Sequence, residues 1–170
     1  MKYLVLNASP NQDGGTAKFV KAFREAAEKH GEVRVMNLHE NPPRFSKGAT
    51  TRDSNFTEYQ QEALDCDALF IATPTYWFNV PAILKAFLEE IDEVDEKFYT
   101  RPRVLGIAVY APQGGELGVA SALVFPLNHL KFALVEEGYI FHRGIAVDDW
   151  AWEDIARMPE RMKRVVGLHD

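Results

Sequence analysis

A three-layer α/β/α sandwich around a five-stranded parallel sheet is the fold class this sequence predicts, and three observations predict it. Short, unbroken apolar runs of the kind that form strands buried on both faces alternate with apolar stripes at three- and four-residue spacing. The alternation repeats five times, which parallel strands joined by right-handed helical crossovers accommodate. The chain of 170 residues is long enough to bury a full core and short enough to be read as one domain, 1–170.

Taken in order, residues 3–6 form the first apolar run and stop at Asn7. From Thr16, the positions Phe19, Val20, Phe23, Ala26 and Ala27 make a helix that Gly31 closes. Val33, Val35 and Leu38 suggest a second strand. Residues 41–57 carry two prolines and few apolar anchors and read as a long loop, expected to form an active-site wall or a partner surface. A short helix over 58–64 leads into residues 68–72, the most apolar run and the expected central strand. Ile83, Leu84, Phe87, Leu88 and Ile91 form a helical stripe that ends in the acidic stretch 89–96. Residues 104–109 read as the fourth strand. Ala120, Leu123, Val124, Leu127, Leu130 and Leu134 then predict a helix kinked at Pro126 and closed by Gly138. A fifth strand is expected over 139–147, and a last helix over 152–166, broken or kinked at Pro159.

Composition narrows the partners. The net charge of −6 supplies no excess of cations for a nucleic-acid backbone or an anionic membrane, so neither is expected. No apolar run approaches the ~20 residues of a membrane span. One cysteine, Cys66, makes neither a disulfide nor a thiolate cluster, and the start of the chain does not read as a signal peptide, so a cytoplasmic protein is expected. His30, His39, His129, His142 and His169 share no ligand-like spacing, and Asp148-Asp149 resemble a metal pair only superficially; no metal site is expected. Cys66, among apolar neighbours, reads as a packed small side chain.

In this fold class ligands bind beyond the carboxyl ends of the strands. Three loops lie there. The first, residues 7–17, is rich in glycine and hydroxyl side chains and precedes a helix, which suits either a phosphate cradle or an ordinary helix cap. It has neither the Lys-Ser/Thr ending of a nucleotide-hydrolysing loop nor the three spaced glycines of a dinucleotide fingerprint. The second, residues 73–81, sets Tyr76, Trp77 and Phe78 side by side between two prolines, where a flat conjugated ligand, another subunit or tertiary packing would cover them. The third, residues 110–116, carries Gly114 and Gly115, which suit close approach of a ligand or a plain turn.

Together these loops resemble the NADPH-dependent FMN reductase family of the flavodoxin-like superfamily. The run Thr73-Pro74-Thr75-Tyr76 through Pro81, Leu84, Lys85 and Phe87 matches that family's Ser/Thr-Pro-x-Tyr-x-x-x-x-Pro-x-x-Leu-Lys-x-Phe signature, and Ala8-Ser9-Pro10 followed by Gly15-Thr16 matches its phosphate loop. The resemblance implies sheet order 2-1-3-4-5 and FMN as cofactor. It implies that Ser9, Asn11, Gly15, Thr16 and Ala17 hold the phosphate. Pro74, Thr75, Tyr76, Trp77, Phe78 and Asn79 would line the ribityl chain and ring, with Tyr110, Gly114 and Gly115 on the other side.

The implied activity is hydride transfer from NADPH or NADH to FMN and on to a quinone, flavin or similar small-molecule acceptor, by a homodimer or homotetramer and with no catalytic acid or base. A flavodoxin-like electron carrier and an FMN-free interaction protein are the alternatives. Two positions depart from the family: Asn11 stands where Arg is usual, and Phe78 where glycine precedes the Asn, so that its ring either narrows the flavin space or faces away. No cysteine cluster stands in 41–57, so the iron–sulfur branch is not expected. Arg44, Lys47 and Arg52 are candidates for contacting the 2′-phosphate of NADPH, and Trp150 and Trp152 read equally as core or as a dimer contact.

Overall fold

Every residue of the central strand is buried, and that burial dictates the layers. In the computed structural model, which describes residues 1–46, 55–143 and 149–167, the strands are β1 (Lys2–Asn7), β2 (Glu32–Asn37), β3 (Ala68–Pro74), β4 (Arg103–Tyr110) and β5 (Phe132–His142). They pair in parallel in the order β2-β1-β3-β4-β5, as the resemblance implied. The helices are α1 (Gly15–Ala27), α2 (Glu58–Asp65), α3 (Ala82–Asp92), α4 (Asp95–Phe98), α5 (Glu116–His129) and α6 (Asp149–Val166).

Because side chains alternate across a strand, β3 sends Leu69 and Ile71 to one face and Phe70 and Ala72 to the other. The first face packs against Tyr59 of α2, Phe87 of α3 and Leu123 and Leu127 of α5. The second packs against Phe19 and Phe23 of α1 and Ile155, Met158 and Met162 of α6, with Phe23 stacked on Phe70 at 4.0 Å. Trp152 belongs to this second core and lies 5.4 Å from Phe19 between ring centres, whereas Trp150 is half-exposed.

The last third of the chain departs from the expected layout. The helix expected to run through Leu134 to Gly138 ends at His129, and β5 begins at Phe132, so Leu134 and Gly138 lie in the strand. Lys131 takes φ 67° just beyond the helix end, the left-handed position that glycine usually marks, so the stop carries no sequence signal. Within β5 the register against β4 jumps from Leu105–Leu134 to Ile107–Tyr139, which leaves residues 135–138 bulged opposite Gly106. The bulge destroys the two-residue period. Residues 144–148, in the expected second half of that strand, lie outside the described residues, as do Asp148, Lys47, Arg52 and His169. Pro159 does not end α6, which continues through it, and the acidic stretch after α3 contains the short α4.

At the amino ends of the strands, Arg101 and Arg103 donate to the carbonyls of Leu64, Asp65 and Cys66 and so cap α2; Arg103 lies between the Phe98 and Phe132 rings. Cys66 beside them is buried, and burial pushes its thiol up to about 12 against the pull of the two guanidinium groups. Three outcomes are expected. Native protein at pH 8 should leave Cys66 unmodified by a thiol-specific chromogenic reagent, with stoichiometric reaction in denaturant. Gly138→Ala should lose about 1–3 kcal/mol in urea unfolding, because its β-carbon would meet the Val135 carbonyl oxygen at 2.6 Å. Gly106→Ala should cost less, since its nearest neighbours are the movable ends of Met158 and Met162.

Candidate functional site

Sheet order places the carboxyl ends of β1, β3 and β4 side by side, and with them the three glycine- and aromatic-bearing loops. In the first loop, short polar side chains set the backbone. The Asn7 carboxamide accepts from the Ser9 amide at 3.1 Å, Ser9 Oγ from the Asn11 amide at 3.2 Å, and Asn11 Oδ1 from the Asp13 amide at 3.0 Å. Asn11 is thus a turn-forming residue whose carboxamide lies against Gly14. The loop delivers the start of α1 with Gly14 as N-cap, no side-chain cap and no acid in the first turn. Ser9 and Thr16 are buried there. Such a terminus carries roughly half a positive charge and amides that need acceptors.

The second loop is a tight turn. Tyr76 and Asn79 exchange backbone hydrogen bonds at 2.9 and 3.1 Å, and between them Trp77 and Phe78 both take left-handed conformations, φ 51° and 62°. That turn type normally carries Asn-Gly, and each non-glycine residue there costs about 1–2 kcal/mol. Neither ring repays the cost by burial: Trp77 is 95% exposed and Phe78 62%.

The third loop is interlocked with the other two. The Thr75 amide donates to the Tyr110 carbonyl at 2.9 Å. A β-carbon at Gly115 would stand 2.6 Å from Phe78 Cα, and one at Gly118 would stand 2.3 Å from the Phe78 carbonyl oxygen, so both glycines admit the aromatic turn. Gly114 and Gly115 have φ 87° and 96°. On the other side, a β-carbon at Gly15 would stand 3.0 Å from the Tyr110 ring, which in turn faces His142 at 6.2 Å. Ser9, Asn11, Gly15, Thr16, Thr75–Asn79, Tyr110, Gly114 and Gly115 therefore sit on three contiguous loops. Ala17 follows Thr16 in the first turn of α1 and also lines a cavity of about 430 Å³ toward β2 with Gln12 and Asn37. Pro74 ends β3.

Phe78 lines a cavity of about 600 Å³ together with Gly114, Glu116, Leu117 and Arg143. Glu116, in the third loop, and Arg143, within the expected fifth strand, pair with one another there; their sequence positions give no sign of that pairing. Arg44 is not a free cation for a phosphate. Its guanidinium pairs with Glu93 at 2.5 Å and lies 3.7 Å from Glu90, and its amide donates to Glu90 at 3.0 Å, which fastens the start of the long loop to α3.

A family model described as a flavodoxin-like fold matches residues 1–112, in agreement with the resemblance read from the loop motifs. A search among curated proteins finds no match. Among solved structures, RosB with bound 8-demethyl-8-formylriboflavin-5′-phosphate superposes with a TM-score of 0.80 at 16% identity, covering 99% of this chain and 79% of that one. An FMN-dependent NADH-azoreductase from Bacillus anthracis in complex with FMN gives 0.73 at 18% identity, covering 95% and 99%. A WrbA-like flavodoxin from Agrobacterium tumefaciens gives 0.71 at 17% identity, covering 99% of each chain. At these identities the likeness is one of fold.

The loop geometry sets two stability outcomes. Gly115→Ala should lose at least about 2 kcal/mol in urea unfolding, since it combines a positive φ with a backbone collision at Phe78. Trp77→Gly removes an exposed ring and relieves strain, so its stability should be unchanged or higher by as much as about 1 kcal/mol in the same measurement.

Proposed function

The chain belongs to the flavodoxin-like fold family, and from that premise we propose that it is an FMN-dependent oxidoreductase, taking hydride from NADPH or NADH and passing electrons to a quinone, flavin or similar small-molecule acceptor. The observation that carries this reading is the aromatic turn: an almost fully exposed Trp77 held in a strained backbone, beside loops of small residues, at the carboxyl end of the sheet. A solvent-facing indole on a strained turn has no folding role and suits a flat conjugated ring.

The residues present fit the cofactor. The uncapped start of α1, with Gly15, Thr16 and Ala17 and the turn fixed by Ser9 and Asn11, supplies amide and hydroxyl donors for a phosphomonoester. Asn11 brings no charge, so the helix terminus and hydroxyl groups carry that recognition. Pro74, Thr75, Tyr76, Trp77, Phe78 and Asn79 would flank the ribityl chain and ring, with Tyr110, Gly114 and Gly115 opposite. Bound FMN supplies the hydride and electron chemistry. The protein's part is to orient the ring, stabilise charge on it through backbone donors and leave one face open to solvent. No acid or base is assigned.

In the same reading the protein is a cytoplasmic homodimer or homotetramer. Phe125, 74% exposed on α5, supports a second copy covering that helix. No helix among the described residues is long and apolar enough to cross a membrane.

The test is direct. Purified protein titrated with FMN should quench flavin fluorescence, and the loaded protein should oxidise NADPH or NADH steadily with a quinone or ferricyanide. Trp77→Gly should weaken FMN binding about tenfold while remaining at least as stable as wild type. Absence of flavin binding would sink the reading; binding without steady turnover would leave an electron carrier.

A further inference from the structure

Glu116, the first residue of α5, uses only half of its carboxylate. Its side chain is 7% exposed, and Oε1 pairs with the Arg143 guanidinium. Oε2 is buried and has no hydrogen-bond partner among the described residues. Leaving a charged acceptor buried without a donor is costly, and proteins rarely do so without cause. Arg143 is 64% exposed and lies over the Phe141 ring at 5.8 Å, with guanidinium N–H groups to spare beyond the one on Glu116. Both residues line the cavity of about 600 Å³, whose other side is the exposed apolar surface of Phe78 and Leu117.

The cavity lining therefore combines a carboxylate that has one unpartnered oxygen with a guanidinium that has N–H groups to spare, next to an apolar wall. The complement of that pattern is an amide edge: a carbonyl that accepts from the guanidinium and an adjacent N–H that donates to the carboxylate. We propose that Glu116 and Arg143 read such an edge on a ring stacked against Phe78 and Leu117. The inference rests on the flavin reductase reading, in which two ligands carry the edge: the imide of the flavin ring and the carboxamide of the nicotinamide. An ion pair that served only the start of α5 would be indifferent to a ligand's N–H.

The experiment compares ligands that differ by that N–H. Wild-type protein is titrated with FMN and with N3-methyl-FMN; the FMN-loaded protein is then titrated with NAD⁺ and with its 3-acetylpyridine analogue, which lacks the amide nitrogen. Each affinity is read by fluorescence. Wild type should prefer the N–H ligand in one of the two pairs by about tenfold or more, and that pair identifies the source of the edge. In Glu116→Gln, Arg143 holds the amide oxygen and turns the NH₂ toward the ligand. Donor then meets donor, and the preference should fall to about twofold or less. Arg143→Met, at an exposed position, should weaken both members of that pair alike, and it carries the test if Glu116→Gln does not fold. Equal affinities in both pairs, or a preference that survives Glu116→Gln, overturn the proposal while the flavin reading stands. Failure of wild type to bind FMN at all removes both.

Discussion

The register between β1, β3 and β4 is the constraint on which the rest of this structure depends. Asn7 pairs with Ala72, and Pro74 with Tyr110, so three strands run out into loops at nearly one level. The register is held by burial on both faces: a one-residue slip of β3 would exchange Leu69 and Ile71 for Phe70 and Ala72 in both cores at once. No single contact in the loops has comparable leverage. The loops meet because the sheet delivers them together, and their mutual contacts then fix the finer geometry.

That finer geometry runs through backbone contacts. Phe78 reaches Gly115 and Gly118 by its main chain, and the Thr75 amide reaches the Tyr110 carbonyl. Main-chain packing leaves the side chains of Tyr76, Trp77 and Phe78 free to face outward, which side-chain packing would not. It also explains why the third loop carries glycines at positions with φ 87° and 96°: a side chain at Gly115 would be strained and would push the aromatic turn away.

Much of this was legible in the sequence, and the gaps have physical causes. Strands buried on both faces announce themselves as continuous apolar runs, so β1, β3 and β4 stood out within a residue or two. Amphipathic α1 and α3 did likewise through their spacing. β5 did not, because its bulge breaks the alternation and because Leu130 and Leu134 happen to stand four apart, as on a helix. The helix end between them uses Lys131 in a conformation that sequence associates with glycine. The three loops were legible as ligand loops from their residue types and their place after strands. The Glu116–Arg143 pair was not, since it joins residues 27 positions apart that only the folded sheet brings together. Nor was the capture of Arg44 by Glu90 and Glu93, which joins residues 46 and 49 positions apart.

The helix starts that follow the three loops differ from that of the scaffold helix α2. α2, which precedes β3, starts with a complete capping box: Thr57 accepts from the Gln60 amide, and the Gln60 side chain accepts from the Thr57 amide. The helices that follow the three loops are treated differently. α1, α3 and α5 begin at Gly14, Pro81 and Gly115, all without a side-chain cap. Each such terminus retains amide donors and a partial positive charge, and three of them converge on one end of the sheet. The same end holds both strained aromatic positions of the Trp77–Phe78 turn and the lone oxygen of Glu116. Strain and unmet polar groups also occur elsewhere, at Lys131, Glu137, Arg103 Nε and Arg161; what distinguishes this edge among the described residues is that uncapped helix starts, the strained aromatic turn and the unmet Glu116 oxygen adjoin one another. Folding stability alone gives no reason for that juxtaposition, because satisfied caps and an Asn-Gly turn would fit the same backbone at lower free energy. Under the proposed function, ligands that bring acceptors for the amides, a flat face for the rings and a donor for the carboxylate would account for that juxtaposition.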